Sequence, residues 1–260
     1  MESNNTSCLN CEQPTQGLFC HHCGQKQGIN RLTWGNVFAE LQNRLFGFDN
    51  NFLRTVKDLT IRPQKVVQSS IDGIRVRYIG AVGYYFLMVT IYIIAMSAFS
   101  IDMTDFTNEI NQSINPNATL DELAVAQESS TFIADNFRIV SFLIMPFIIL
   151  GTWIFFKNKG FNFLETAVLT FYGQAHPIWL AIILLVVNKY TGNFFSISFI
   201  SLFPYLYTII LAVLFYKGNK IWNLAKATMG MLLGFVLVML AAAAITVIIL
   251  SINPQILKSL

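Results

Sequence analysis

The chain has 260 residues, of which 54% are apolar and only 12% charged, and its mean hydropathy is +0.54. A soluble globular protein carries about 25% charged residues, so this composition excludes an ordinary soluble domain and points to a membrane protein. The formal net charge of +3 is too small to make nucleic acid an expected partner.

Residues 1–30 are polar and hold all four cysteines: Cys8, Cys11, Cys20 and Cys23. The order is C-x2-C, eight residues, C-x2-C. Each pair forms a short knuckle, and two knuckles close one tetrahedral thiolate site, a soft donor set that favours Zn²⁺. Four thiolates leave no open position for a substrate. The site therefore reads as a structural zinc ribbon rather than a catalytic or sensing centre. Iron in a rubredoxin-like site uses similar knuckles, two disulfides are the bland alternative, and His21 and His22 lie between the ligands. No basic and apolar leader precedes Cys8, so the head is expected in the reducing cytoplasm, where paired cysteines more often bind metal. A polar segment of this size cannot build a core, and metal binding must supply most of its folding free energy.

Residues 31–80 interleave basic and aromatic side chains, among them Arg31, Trp34, Phe38, Arg44, Phe46, Phe48, Phe52, Arg54, Lys57, Arg62, Lys65, Arg75 and Arg77. Thr33 can cap a helix through Leu45, Asn50 or Asn51 can start a second one carrying Phe52, Val56 and Leu59, and Pro63 suits the first turn of a third. Short amphipathic helices with basic flanks usually lie in the membrane interface. The arginines Arg62, Arg75 and Arg77 are the candidate contacts to anionic lipid head groups, with topology-setting as the plain alternative.

Five membrane spans are expected near 81–99, 139–156, 165–187, 194–216 and 228–250, each close to the roughly 20 residues that cross a bilayer core. Pro146, Pro177 and Pro204 fall inside spans two, three and four and predict kinks. With the N-terminus in the cytoplasm, fourteen of the seventeen Lys and Arg fall on the cytoplasmic side. The 100–135 loop, with seven acids and no base, is then external, and the C-terminus is periplasmic.

Span three carries the notable polar residues. Glu165, Tyr172 and His176 recur on nearly one helical face, and Gln174 points the other way. Ionisable groups inside membranes often mark ion or proton paths. The bland reading has Glu165 at the cytoplasmic interface and His176 bonded to a carbonyl freed by Pro177, and no second polar span is evident. Gly230 and Gly234 form G-x-x-x-G, which permits close packing within the chain or across a homo-oligomer. No nucleophile elbow, phosphate-binding glycine loop or H-E-x-x-H helix is present, so no enzymatic activity is expected.

The run Cys8-x2-Cys11, Cys20-x2-Cys23-Gly24-Gln25, Phe46-x-Phe48-Asp49, Arg62-Pro63, Arg75-x-Arg77-Tyr78 and the Glu165 of Phe161-Asn162-Phe163-Leu164-Glu165 resembles an uncharacterised bacterial family, common in Bacteroidetes. That family joins an N-terminal zinc ribbon to a polytopic membrane domain. The likeness is strong over residues 8–95 and looser beyond, where the plan is similar to five-span Yip1-like domains. Members often carry histidines where this chain has Thr166, Tyr172 and Gln174, and a proline near Ala81. The resemblance implies the architecture and no established activity.

The expectation is thus an all-α polytopic membrane protein with five transmembrane helices, preceded by interfacial helices and a small zinc ribbon. It would sit in the bacterial inner membrane as a non-enzymatic adaptor, with a cytoplasmic protein partner docked on the ribbon. The alternative is a transporter or lipid-handling permease using the polar residues of span three.

Overall fold

The computed structural model describes residues 6–27, 51–74, 76–100, 119, 127, 131–191 and 202–252. The expected helix starting at Thr33, Arg75, most of the acidic 100–135 loop and the first part of the fourth expected span lie outside them.

The head opens with a two-residue hairpin in which β1 (Thr6–Ser7) pairs antiparallel with β2 (Pro14–Thr15). A single antiparallel bridge, Phe19 to Lys26, closes a second turn. The rest of the described chain is helices and the short turns between them. α1 (Asn51–Ile61) and α2 (Pro63–Ile71) meet at Arg62, with Pro63 in the first turn of α2. There its fixed φ suits the helix and its missing N–H is not needed. Gly73 then closes α2 at φ 84, a left-handed conformation that glycine adopts without strain.

Among the described residues, four helical segments are long and apolar enough to cross a membrane: Ala81–Ala98, Phe137–Lys159, Phe163–Val187 and Lys220–Ala244. The first is α3 (Ala81–Ala98), and the second is α4 (Phe137–Phe156) with a 3-10 turn at Lys157–Lys159. The third is broken at His176-Pro177 into α5 (Phe163–Ala175) and α6 (Ile178–Thr191). The kink expected at Pro177 is thus present, because proline cannot donate to the preceding turn. Pro146 lies within α4 and leaves it one continuous helix.

Of the expected fourth span the structure describes α7 (Phe203–Phe215), 13 residues with Pro204 in the first turn. The physical reason is the same as for Pro63: the first turn has no use for the missing N–H. α8 (Lys220–Ile252) starts eight residues before the expected fifth span, so Lys220 and Lys226 lie on its first turns. Asn219 Oδ1 accepts from the amides of Ile221 and Trp222 and starts the helix early.

The packing is layered around the third membrane segment. Of its most apolar stretch, 56% is buried inside the protein, against 22% for α8, so α5 is central and α8 faces outward. α3 and α7 flank α5, while α8 packs antiparallel against α4. There Gly151 of α4 meets Gly230 and Gly234 of α8 with backbone against backbone. The G-x-x-x-G pair is therefore used within the chain. α1 and α2 add Leu59, Val66 and Val67, all fully buried, to the same core as Tyr84, Met88, Leu169 and Leu211. Each such side chain contributes about 1.5–3 kcal/mol on burial from water. The juxtamembrane helices are thus part of the bundle.

Candidate metal centre and the polar junction beneath it

The two cysteine knuckles share one backbone plan. In the first, the Cys8 amide donates to Gln13 O at 2.9 Å and the Glu12 amide to Cys8 O at 2.9 Å. In the second, the Cys20 amide donates to Gln25 O at 2.7 Å and the Gly24 amide to Cys20 O at 2.8 Å. Both turns need a left-handed residue at the fourth place after the first cysteine, Glu12 at φ 61 and Gly24 at φ 72. Glycine meets this at no steric cost, whereas Glu12 is held there by the knuckle.

The plan brings all four sulfurs within 4.8 Å of one another. Cys8 Sγ lies 3.5 Å from Cys23 Sγ, and Cys11 Sγ 3.7 Å from Cys20 Sγ. A tetrahedral ion with metal–sulfur bonds of about 2.3 Å has sulfur–sulfur edges of about 3.8 Å, so the donor set fits one such ion. Burial opposes charge on Cys8, but the amides of Cys11 and Asn10 and the thiols beside it bring its pKa down to about 6. Gln13 favours ionised Cys11 too, yet burial and the neighbouring thiols push it up to about 12. One thiolate forms readily and the next resists; a cation in the middle removes that conflict.

Gln25 connects this head to the membrane bundle. It is fully buried, and its Nε2 donates to Gly73 O at 2.7 Å and Lys26 O at 3.2 Å. Gly73 begins the loop to α3, and that loop is fastened at each step. Tyr78 donates its hydroxyl to Asp58 Oδ2 at 2.7 Å, and Arg62 Nε donates to Asp58 Oδ1 at 3.2 Å. Burial alone would raise the Asp58 pKa, but the Tyr78 and Arg62 hydrogen bonds and the charges of Arg62 and Arg77 hold it below the usual carboxylate value. The Ile79 amide donates to Thr55 Oγ1 at 3.0 Å, and Ile79 O accepts from the Tyr172 hydroxyl.

The span-three residues divide into two groups. Tyr172 and His176 meet the juxtamembrane helices: Ser70 Oγ lies 3.1 Å from the Tyr172 hydroxyl, and Thr60 Oγ1 lies 3.1 Å from His176 Nε2. His176 Nδ1 lies 3.0 Å from the Tyr84 hydroxyl. Both ring nitrogens thus have side-chain partners, and neither partner is a carbonyl freed by Pro177. These polar groups come from α1 and from the start of α3, where tyrosines in an apolar run hide their hydroxyls from a hydropathy reading. Glu165 does something else. Asn162 Oδ1 accepts from the Glu165 amide at 2.8 Å, and Glu165 Oε2 accepts from the Asn162 amide at 2.7 Å. This is a capping box that opens α5, and eleven residues, about 16 Å of helix rise, separate it from His176. Gln174 faces the other way, to Thr208 Oγ1 at 3.0 Å and Pro204 O at 3.3 Å.

Two of the arginines expected at lipid head groups have partners within the protein. Arg62 is held by Asp58, and Arg77 lies 5.5 Å over the Tyr78 ring. Asp58, Thr60, Ser70 and Tyr84 were not singled out from the sequence, and Gln25 stood there only as the end of the Cys20-x2-Cys23-Gly24-Gln25 run.

A family described as a protein of unknown function (DUF3667) matches residues 49–93. The matched stretch covers α1, α2 and most of α3, and so contains Thr55, Asp58, Thr60, Arg62, Ser70, Gly73, Tyr78 and Tyr84. No curated protein and no solved structure matches the chain.

Proposed function

We propose that this chain is a non-enzymatic adaptor of the bacterial inner membrane whose cytoplasmic head is a zinc-stapled docking module. In this reading the chain spans the membrane five times, α7 and the residues before it forming the fourth span. The N-terminus is cytoplasmic and the C-terminus periplasmic, as the Lys and Arg distribution favours. The ion is a structural Zn²⁺ held by Cys8, Cys11, Cys20 and Cys23, since four thiolates close the coordination shell.

The observation that carries the proposal is the form of the head. A polar segment of some twenty residues displays Leu9, Leu18 and Phe19 at 53%, 73% and 59% exposure, while Gln25 fixes it to the loop entering the first span. Large apolar groups at the tips of a metal-rigid turn are suited to anchoring a protein partner. Support against the permease reading comes from span three: the polar groups of Glu165, Tyr172 and His176 are engaged in capping and in holding α1 and α2.

The test compares cross-linked partners of the full chain with those of Leu18→Ser combined with Phe19→Ser. The variant is expected to keep its metal and lose the partner. An unchanged partner set, with metal retained, would overturn the proposal.

A further inference from the structure

The outer face of α1 mixes two large apolar side chains with bases. The helix buries Thr55 and Asp58 beside Leu59, and it exposes Leu53 at 70% and Ile61 at 67%. Arg54, Lys57 and Thr60 share the exposed arc, and Lys65 continues it on α2. The inner side of α1 carries Phe52 and Val56 packed against the core beside Leu59, so Leu53 and Ile61 are apolar groups that the bundle does not cover. Among the described residues the one salt bridge is Arg62 to Asp58, which leaves Arg54, Lys57 and Lys65 without a carboxylate. α1 also lies directly on membrane helices, because Tyr207 of α7 donates to Leu59 O at 2.7 Å and Thr60 reaches His176.

We infer that the outer face of α1 and α2 is a binding surface for anionic glycerophospholipid. Leu53 and Ile61 enter the acyl region beside the spans, and Arg54, Lys57 and Lys65 reach the phosphates. Long basic side chains lie along apolar surface with their charged ends at the head groups, so bases and large apolar groups can share one face. Three cations outnumber the one exposed acid that follows them on α2, Asp72, which accepts from Gln68, and so favour anionic over zwitterionic lipid. Arg62 and Arg77 differ from these three in having partners within the protein, the Asp58 carboxylate and the Tyr78 ring. The inference goes beyond the docking role of the head and is independent of it.

The experiment uses the full chain, loaded with metal, in nanodiscs and then in detergent. Native mass spectrometry counts phosphatidylglycerol and phosphatidylcholine retained on release. The protein is expected to retain phosphatidylglycerol preferentially. The combined Arg54→Gln, Lys57→Gln and Lys65→Gln variant should bind it about tenfold or more weakly at unchanged melting temperature. If that variant melts early, the charge-keeping pair Arg54→Lys and Lys57→Arg serves instead and must retain the lipid. A photo-crosslinker at position 53 should label lipid. Equal retention of the two lipids, retention unaffected by charge removal, or crosslinks to protein in place of lipid would each overturn the inference.

Discussion

Replacing Gly151 by Ala puts one methyl group into the α4–α8 contact. A Cβ built there meets Gly230 O, Gly234 N at 2.6 Å and Gly234 Cα at 2.9 Å. These are backbone atoms of the partner helix and cannot rotate away as a side chain can. An ordinary contact needs about 3.5 Å, so the helices must separate by about 1 Å along this stretch. Overpacking of this kind costs about 1–3 kcal/mol, and a backbone obstacle places it at the upper end. For a chain of this size that lowers the melting temperature by about 5 °C or more. Gly83→Ala is the matched control: its nearest neighbour is Ile79 Cγ2 at 3.7 Å, an ordinary contact, so alanine should be neutral or mildly stabilising. The assay is thermal unfolding of both variants in the same mild detergent. Equal melting temperatures for the two would refute the close α4–α8 packing.

Three further outcomes follow from the same geometry. Chelation, or Cys20→Ser, should release one metal ion per chain by elemental analysis and make the head sensitive to protease, while the melting of the helical bundle changes little; a colourless loaded protein marks zinc rather than iron. Tyr78→Phe removes a hydrogen bond to a buried carboxylate and should cost about 1.5–3 kcal/mol. Because the Asp58 pKa is depressed in the folded protein, its contribution is complete above the ordinary carboxylate pKa and is lost as pH falls through the lower folded value. Acid unfolding of Tyr78→Phe should therefore begin at higher pH than in the parent. Glu165→Gln preserves the capping box and should change stability little, whereas Glu165→Ala should cost about 1 kcal/mol; a large loss of solute flux in liposomes for Glu165→Gln would favour the permease reading instead.

The sequence by itself determined the features that depend on neighbours along the chain. The C-x2-C spacing places each sulfur pair on one turn, and Gly24 suits the left-handed position that closes the second. Apolar lengths mark the four long membrane segments, and Pro63 and Pro177 mark a helix start and a break, since each is fixed within a few residues. Only the tertiary structure decided which distant groups meet. His176 finds Thr60 across 116 residues, and Tyr207 finds Leu59 across 148. Neither pairing leaves a trace in periodicity, because a hydroxyl in an apolar run reads as apolar until a partner is placed beside it. The lipid surface proposed for Arg54, Lys57 and Lys65 rests on packing for a similar reason. Composition counts cations, and packing decides which of them are already neutralised by a buried acid or held over a ring.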